Sequence, residues 1–193
     1  MTADPALAGR PRAVVLVEGL SDRLAVEVLA RRRARDLAAD GVAVIAMHGA
    51  TNLGRYLDRY GPGGLNVRLA GLCDAAEEDY FRRGLRRAGI GAGASRAAME
   101  ALGFFVCTLD LEDELIRAVG TAAVERIIAE QGELRSFRTL QRQPAQRGQP
   151  VQDQLRRFMS GRSGNKHRYA QLLADAVDLS QVPQPLDGVL ARL

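Results

Sequence analysis

The sequence predicts an α/β fold, with a central parallel sheet of about four strands flanked by helices and a helical C-terminal extension. Three observations predict it. Four short apolar runs lie at 13–17, 42–47, 67–73 and 104–108. They are rich in Val, Ile, Leu and Phe and do not alternate with polar residues, the mark of strands buried on both faces. Each run is followed by residues at helical spacing, so strand and helix alternate, as a parallel sheet with crossover helices requires. Beyond residue 120 no further run of this kind occurs, and the pattern is helical throughout. At 193 residues the chain has the length of one domain and can bury a core unaided.

The elements follow in order. Ala13 to Val17 is the first strand. Ser21 offers an N-cap with Asp22 in the first turn, and Leu24, Ala25, Val28 and Leu29 recur at helical spacing. Arg31, Arg32, Arg33 and Arg35 crowd the end of that helix, where cations suit the macrodipole. Val42 to Met47 is the second strand. Asn52 to Tyr60 is a short helix closed by Gly61-Pro62-Gly63-Gly64. Val67 to Cys73 is the third strand and Glu77 to Arg87 the next helix. Residues 89–95, Gly-Ile-Gly-Ala-Gly-Ala-Ser, form a loop. It follows a helix and lacks the dinucleotide fingerprint spacing, so it carries no nucleotide-binding argument. Phe104 to Thr108 is the fourth strand, followed by a helix from Leu111 to Val119. Further helices are expected at 121–131, 133–140, 151–159 and 167–177, with a polar linker at 141–150. The expected division is 1–120 for the α/β domain and 121–193 for the helical extension packed on it.

Composition excludes several classes. No stretch approaches ~20 apolar residues, so no membrane-spanning helix is expected. Met-Thr-Ala-Asp-Pro at the start has neither a basic nor an apolar signal region, which argues for a cytoplasmic protein. Cys73 and Cys107 both sit in apolar runs and read as buried, reduced thiols. The net charge is +4, but it is unevenly placed. Residues 134–168 carry nine basic side chains against one acidic, Asp153, so the rest of the chain is an acidic body. A basic segment of this kind suggests a polyanionic partner, usually nucleic acid. Lys166 is the sole lysine in a chain otherwise served by arginine.

Function in an open α/β sheet gathers at the carboxyl ends of the strands. Three of the four expected strands run into acids. The first leads to Glu18-Gly19 with Asp22 following, the third to Asp74, and the fourth to Asp110 with Glu112, Asp113 and Glu114. Carboxylates converging on one sheet edge repel one another unless a cation sits among them. Their hard oxygens suit magnesium or manganese. Any single one of these acids can equally serve as a helix cap; the joint pattern favours a metal centre. His48 reads as a polar loop residue, and Phe104, Phe105, Phe137 and Phe158 as core.

Val15-Leu16-Val17-Glu18-Gly19-Leu20-Ser21-Asp22 resembles the first motif of the Toprim domain, which serves topoisomerases, bacterial primases and a set of nucleases. The ordered combination with Asp74, Asp110-Leu111-Glu112 and Ser163-Gly164-Asn165-Lys166 is most similar to the Toprim domains of the overcoming-lysogenization-defect (OLD) nucleases, over about residues 12–180. The resemblance implies a Toprim-like Rossmannoid fold. It implies Glu18, Asp22, Asp74, Asp110 and Glu112 as metal ligands, for Mg2+ or Mn2+ and two ions. Glu18 would also have acid–base duty, and Lys166 would stabilise charge at the scissile phosphate. Ser163, Arg162 and Arg168 would contact phosphate or nucleic acid.

Two departures stand out. Toprim domains usually carry Asp-x-Asp after the third strand, and here the second position is Ala76, with Glu77 or Glu78 as the only nearby substitutes. The family commonly joins this domain to an ATPase, but these residues contain no P-loop and hence no ATP site, so if ATP is involved a separate ATPase partner must supply it. No transesterifying tyrosine can be assigned among Tyr56, Tyr60, Tyr80 and Tyr169, which argues against a topoisomerase. The leading expectation is a divalent-metal-dependent nuclease acting on DNA. The alternatives are a catalytically weakened nucleic-acid-binding or ATPase-docking module, and an RNA-processing nuclease. A homodimer is left open and no membrane partner is expected.

Overall fold

The computed structural model describes residues 10–91, 95–161 and 164–193. Arg162, Ser163, the centre of the glycine loop at 89–95 and the N-terminal residues read against a secretion signal lie outside the described residues.

β1 (Ala13–Val17) is buried along its whole length, as a non-alternating apolar run demands. It pairs in parallel on one side with β2 (Val42–Ala46) and on the other with β3 (Arg68–Cys73), which in turn pairs with β4 (Phe104–Val106). The sheet order is β2-β1-β3-β4, parallel throughout. The chain leaves β1 towards β2 and then crosses back past β1 to β3. That reversal opens a crevice between the carboxyl ends of β1 and β3, where open α/β sheets bind their ligands.

The two-residue period of the strands sorts side chains into two layers. Val15, Val17, Val44, Leu72 and Phe105 face α1 (Leu20–Arg32) and α5 (Leu111–Val119). Val14, Leu16, Ile45, Phe104 and Val106 face α2 (Leu53–Tyr60), α3 (Glu78–Arg87) and Met99 of α4 (Arg96–Ala101). The four phenylalanines read as core are buried. So are both cysteines, which are free thiols. Cys73 and Cys107 are adjacent across the β3–β4 seam, where Cys107 N–H donates to the Cys73 carbonyl at 2.9 Å. Their side chains nevertheless enter opposite layers.

The helices after residue 120 are α6 (Thr121–Glu130), α7 (Leu134–Gln141), α8 (Val151–Ser160), α9 (Asn165–Ala176) and α10 (Gln184–Ala191). Val124, Phe137, Leu155, Tyr169 and Val189 bury themselves in the same layer as Val15 and Leu29. This side of the sheet is therefore much thicker than the other. Phe158 joins three helices, with its ring 5.4 Å from Phe137 and 6.1 Å from Tyr169 in edge-to-face contacts. No helix among the described residues is long and apolar enough to cross a membrane.

Three local expectations are corrected. Ser21 is not the cap of α1: Gly19 holds that position, and Asp22 reaches back so that its Oδ2 accepts the Gly19 N–H at 2.8 Å. One half of a capping box thus does the work expected of the serine. α9 begins at Asn165 rather than His167, after Gly164 in the left-handed region (φ 80°), so Lys166 lies in its first turn. α4 and α10 were not expected. α10 carries Gly188 because a β-carbon there would lie 2.2 Å from the Phe105 ring. Gly188→Ala would overpack this contact at a cost of roughly 1–3 kcal/mol.

Candidate active site

Glu18 ends β1, Asp74 ends β3 and Asp110 follows β4, so the sheet itself carries three carboxylates to one edge. Asp22 and Glu112 join them from the first turns of α1 and α5. Lys166 arrives from the start of α9, with its Nζ 3.3 Å from Glu112 Oε2. α9 packs along α1 and against α5, which brings a residue so distant in sequence to the carboxylates.

The electrostatics show that these groups share one site. Burial is the largest cause raising the pKa of Glu18, and the charges of Asp22 and Glu77 add to it while Lys166 opposes it. Asp22 is raised by burial, against the stabilising hydrogen bond from Gly19 and the charge of Lys166. Asp74 is pushed up to about 8 by burial and by the carboxylates of Asp22, Glu18 and Asp110. Glu112 rises to about 7, again chiefly through burial, with Lys166 pulling the other way. Burial disfavours the charge on Lys166, but Glu112, Asp22 and Asp74 outweigh it and hold its pKa above the ordinary value. Clusters of carboxyls with raised pKa in a crevice are the pattern of functional sites.

Not every acid of the segment after β4 belongs to the cluster. Glu114 Oε1 accepts the Thr108 N–H at 2.6 Å and its Oε2 pairs with Arg117 at 2.6 Å. Asp113 is held by Arg117 at 2.9 Å and by the Gln152 amide at 2.6 Å. These two buried acids fasten α5 to its surroundings. Asp110 has both kinds of role. Its Oδ1 caps α5 by accepting the Asp113 N–H at 2.9 Å, while its Oδ2 meets Arg156 Nε at 2.9 Å.

The acids that follow Ala76 sit in different surroundings. Ala76 is exposed on the 3-10 turn Ala75–Glu77. Glu78 is committed to Arg96, at 2.6 Å. Glu77 is the nearer substitute, since its charge is felt at Glu18. Arg168, expected to contact phosphate, is engaged elsewhere: it donates to Glu133 at 2.6 Å and to Asn165 Oδ1 at 3.2 Å and lies over the Tyr169 ring. His48 is exposed beyond the end of β2.

Arg156 and Asn165 were not singled out in the sequence. Arg156 lies 46 residues from Asp110 and is one arginine among many, so only the fold reveals it. Asn165 is buried with its Nδ2 lacking a hydrogen-bond partner, beside the lysine. A polar residue between Gly164 and the lone lysine was the available signal.

The donor set fits a hard divalent cation chemically, being all carboxylate oxygen. Glu18 Oε2 and Glu112 Oε1 are buried without a hydrogen-bond partner, as two waiting ligand atoms would be. The oxygens are not drawn together: among the described residues no three Asp, Glu, His or Cys groups converge tightly enough to hold a metal as they stand. Mutual repulsion keeps such groups apart, and gathering them requires side-chain rotation around an ion.

Comparisons with known proteins bear on the fold. Residues 11–75 match the family model for the overcoming lysogenization defect protein-like TOPRIM domain. The C-terminal region of the OLD protein of Xanthomonas campestris pv. campestris is similar at TM-score 0.73 and 26% identity, over 94% of this chain and 91% of that one. The C-terminal region of the Burkholderia pseudomallei OLD protein shares the fold at TM-score 0.70, with 21% identity over 94% and 96% of the two chains. No curated protein sequence matches the chain.

Proposed function

Because this chain carries a Toprim domain of the OLD type, we propose that it is a divalent-metal-dependent nuclease that hydrolyses DNA phosphodiester bonds. The observation that supports this most is the union of five strand-end and helix-start carboxylates with the chain's one lysine at a single crevice. Toprim domains generally use divalent metals. Glu18, Asp22 and Asp74 would hold one Mg2+ or Mn2+ ion. Asp110 and Glu112 would hold a second, for which Arg156 and Lys166 must give way. When bound, the ions neutralise charge on the phosphodiester and favour the attacking and leaving oxygens.

The protein's own groups do the rest. The unpartnered Oε2 of Glu18 accepts a proton from the attacking water, a task suited to a carboxyl whose pKa has been raised. The water oxygen forms the new P–O bond, the P–O bond to the ester oxygen breaks, and that oxygen leaves as an alcohol with a proton taken from solvent. Asp22 fixes the Glu18-Gly19 turn through the Gly19 N–H. Lys166, kept protonated by its acidic neighbours, swings from Glu112 to a non-bridging phosphate oxygen. These residues hold no P-loop, so any ATPase coupled to cleavage is a partner or lies elsewhere in a longer chain.

The test is cleavage of supercoiled plasmid by purified protein with Mg2+, Mn2+ or EDTA, with Glu18→Ala and a structured RNA substrate in parallel. Metal-dependent nicking that disappears in the variant is expected. Cleavage that persists in EDTA, or is unchanged in Glu18→Ala, would overturn the assignment. Ala76 favours one other reading, a nucleic-acid-binding or ATPase-docking module that has lost catalysis. That reading requires no cleavage with any metal, and salt-sensitive DNA binding that survives both EDTA and Glu18→Ala.

A further inference from the structure

Between α7 and α8 runs an open cleft of about 390 Å³. Arg135 of α7 and Arg157 of α8 line it, together with Thr139, Gln143 and the edge of Phe158. Both arginines are exposed, and neither meets a carboxylate among the described residues. Four other basic residues of the segment are internally neutralised, while Arg142 and Arg147, which also meet no carboxylate among the described residues, lie outside the cleft lining. Arg138 is spent on Glu125, Arg156 on Asp110, Lys166 on Glu112 and Arg168 on Glu133. No acid lines the cleft. Two uncompensated guanidinium forks beside a side-chain amide form a receptor for phosphate oxygens.

The cleft is tied to the carboxylate crevice through α8. Arg156, paired with Asp110, and Arg157, in the cleft, are successive residues and project about 100° apart around the helix. A helix with its side chains is about 10–12 Å thick. Side chains 100° apart on such a cylinder end about 8–9 Å from each other, which at ~3.4 Å per nucleotide along a strand spans two to three nucleotides.

We propose that the α7–α8 cleft binds backbone phosphates of the nucleic-acid substrate on the flank of the scissile bond, about two to three nucleotides away. The inference rests on reading the crevice as a nucleic-acid site. Contact is with phosphate only, so it adds affinity for any sequence and sets a minimum flank length for efficient cleavage.

The test is fluorescence anisotropy of a labelled duplex of about 20 base pairs in EDTA, over a range of salt, which separates binding from catalysis. In Arg135→Gln/Arg157→Gln the slope of log affinity against log salt becomes shallower by about 1.8, or 0.9 for each lost phosphate contact. Affinity at low salt falls at least tenfold. The Arg135→Lys/Arg157→Lys protein keeps the slope, and Arg142→Gln, exposed outside the cleft lining, changes it by half as much or less. Far-ultraviolet circular dichroism and melting confirm that each variant folds. An unchanged slope in the Gln/Gln variant, in a protein that cleaves plasmid, overturns the cleft while leaving the nuclease standing. A lost slope in a protein that cleaves nothing supports the cleft and sinks the nuclease. Failure of the parent protein to bind duplex at low salt, or saturation of the cleft by a mononucleotide with no effect of the variants on duplex, also overturns the inference.

Discussion

On one side of the crevice Glu18, Asp22 and Asp74 face one another, and among the described residues none of them forms an ion pair. On the other side Asp110 and Glu112 each meet a cation of the protein, Arg156 at 2.9 Å and Lys166 at 3.3 Å. The first group is the less compensated, and Asp74, pushed up to about 8 first by burial and then by its acidic neighbours, keeps its proton. The second group is partly neutralised from within, and Glu112 rises only to about 7 despite deeper burial. The two halves are therefore held differently: the β4–α5 half is ion-paired to α8 and α9, and the β1–β3 half feels Lys166 only through its charge.

The comparison is sharpened by removing each half in turn. The largest effect is expected at Glu18: Glu18→Gln keeps the shape but removes the proton acceptor, and cleavage falls roughly 10²- to 10⁴-fold. Single-turnover rates at saturating metal measure it, and a loss under tenfold would move the base elsewhere. Lys166→Ala comes next, with a fall of about 10²- to 10³-fold, the usual cost of losing one charge-stabilising donor. Lys166→Arg should restore part of the rate, because the charge returns without the compact ammonium.

Stability should move the other way. Asp74 keeps its proton in the fold up to about pH 8, whereas the unfolded chain releases it near 3.8. Its contribution is therefore complete below about pH 4 and is lost as pH rises through 8, and Glu112 adds the same trend up to about 7. Melting of the metal-free protein from pH 4 to 9 should show Tm declining across that window. Asp74→Asn should flatten the decline and raise Tm at pH 8, by about 2–4 °C for each kcal/mol recovered. Mg2+ should raise the parent's Tm more than the variant's. A Tm that is flat with pH in the parent would contradict the strained first half. The smallest effect belongs to Arg156→Gln. The pair with Asp110 is partly exposed and worth about 0.5–1 kcal/mol, so Tm should drop by only a few degrees.

Much of this was legible in the sequence, for physical reasons. Buried parallel strands announce themselves as short apolar runs, and their carboxyl ends are marked by the first acids that follow. Glu18, Asp74 and Asp110 are all found that way. α10 was not legible because Pro183, Pro185 and Gly188 argue against a helix in isolation. There the prolines open the helix and the glycine admits Phe105. The cap of α1 was misread because a serine at a helix start is a stronger local signal than an aspartate three residues past a glycine. Part of the charge of the basic segment is paired within the fold. Net charge along a chain cannot show that Arg138, Lys166 and Arg168 find acids on other elements. Only the fold separates the structural arginines from Arg135 and Arg157.

The two thiols offer a clock for how this molecule comes apart. Cys73 and Cys107 are neighbours along the sheet yet look into opposite layers, so oxidation cannot staple the strands together. Each is silent to a thiol reagent until its own layer opens. With Cys73→Ser and Cys107→Ser made separately, the labelling rate of the remaining thiol times the thin α2–α3 side and the thick α1–α9 side independently. The thin side should open first, which would make the Cys73 signal the early hand of that clock.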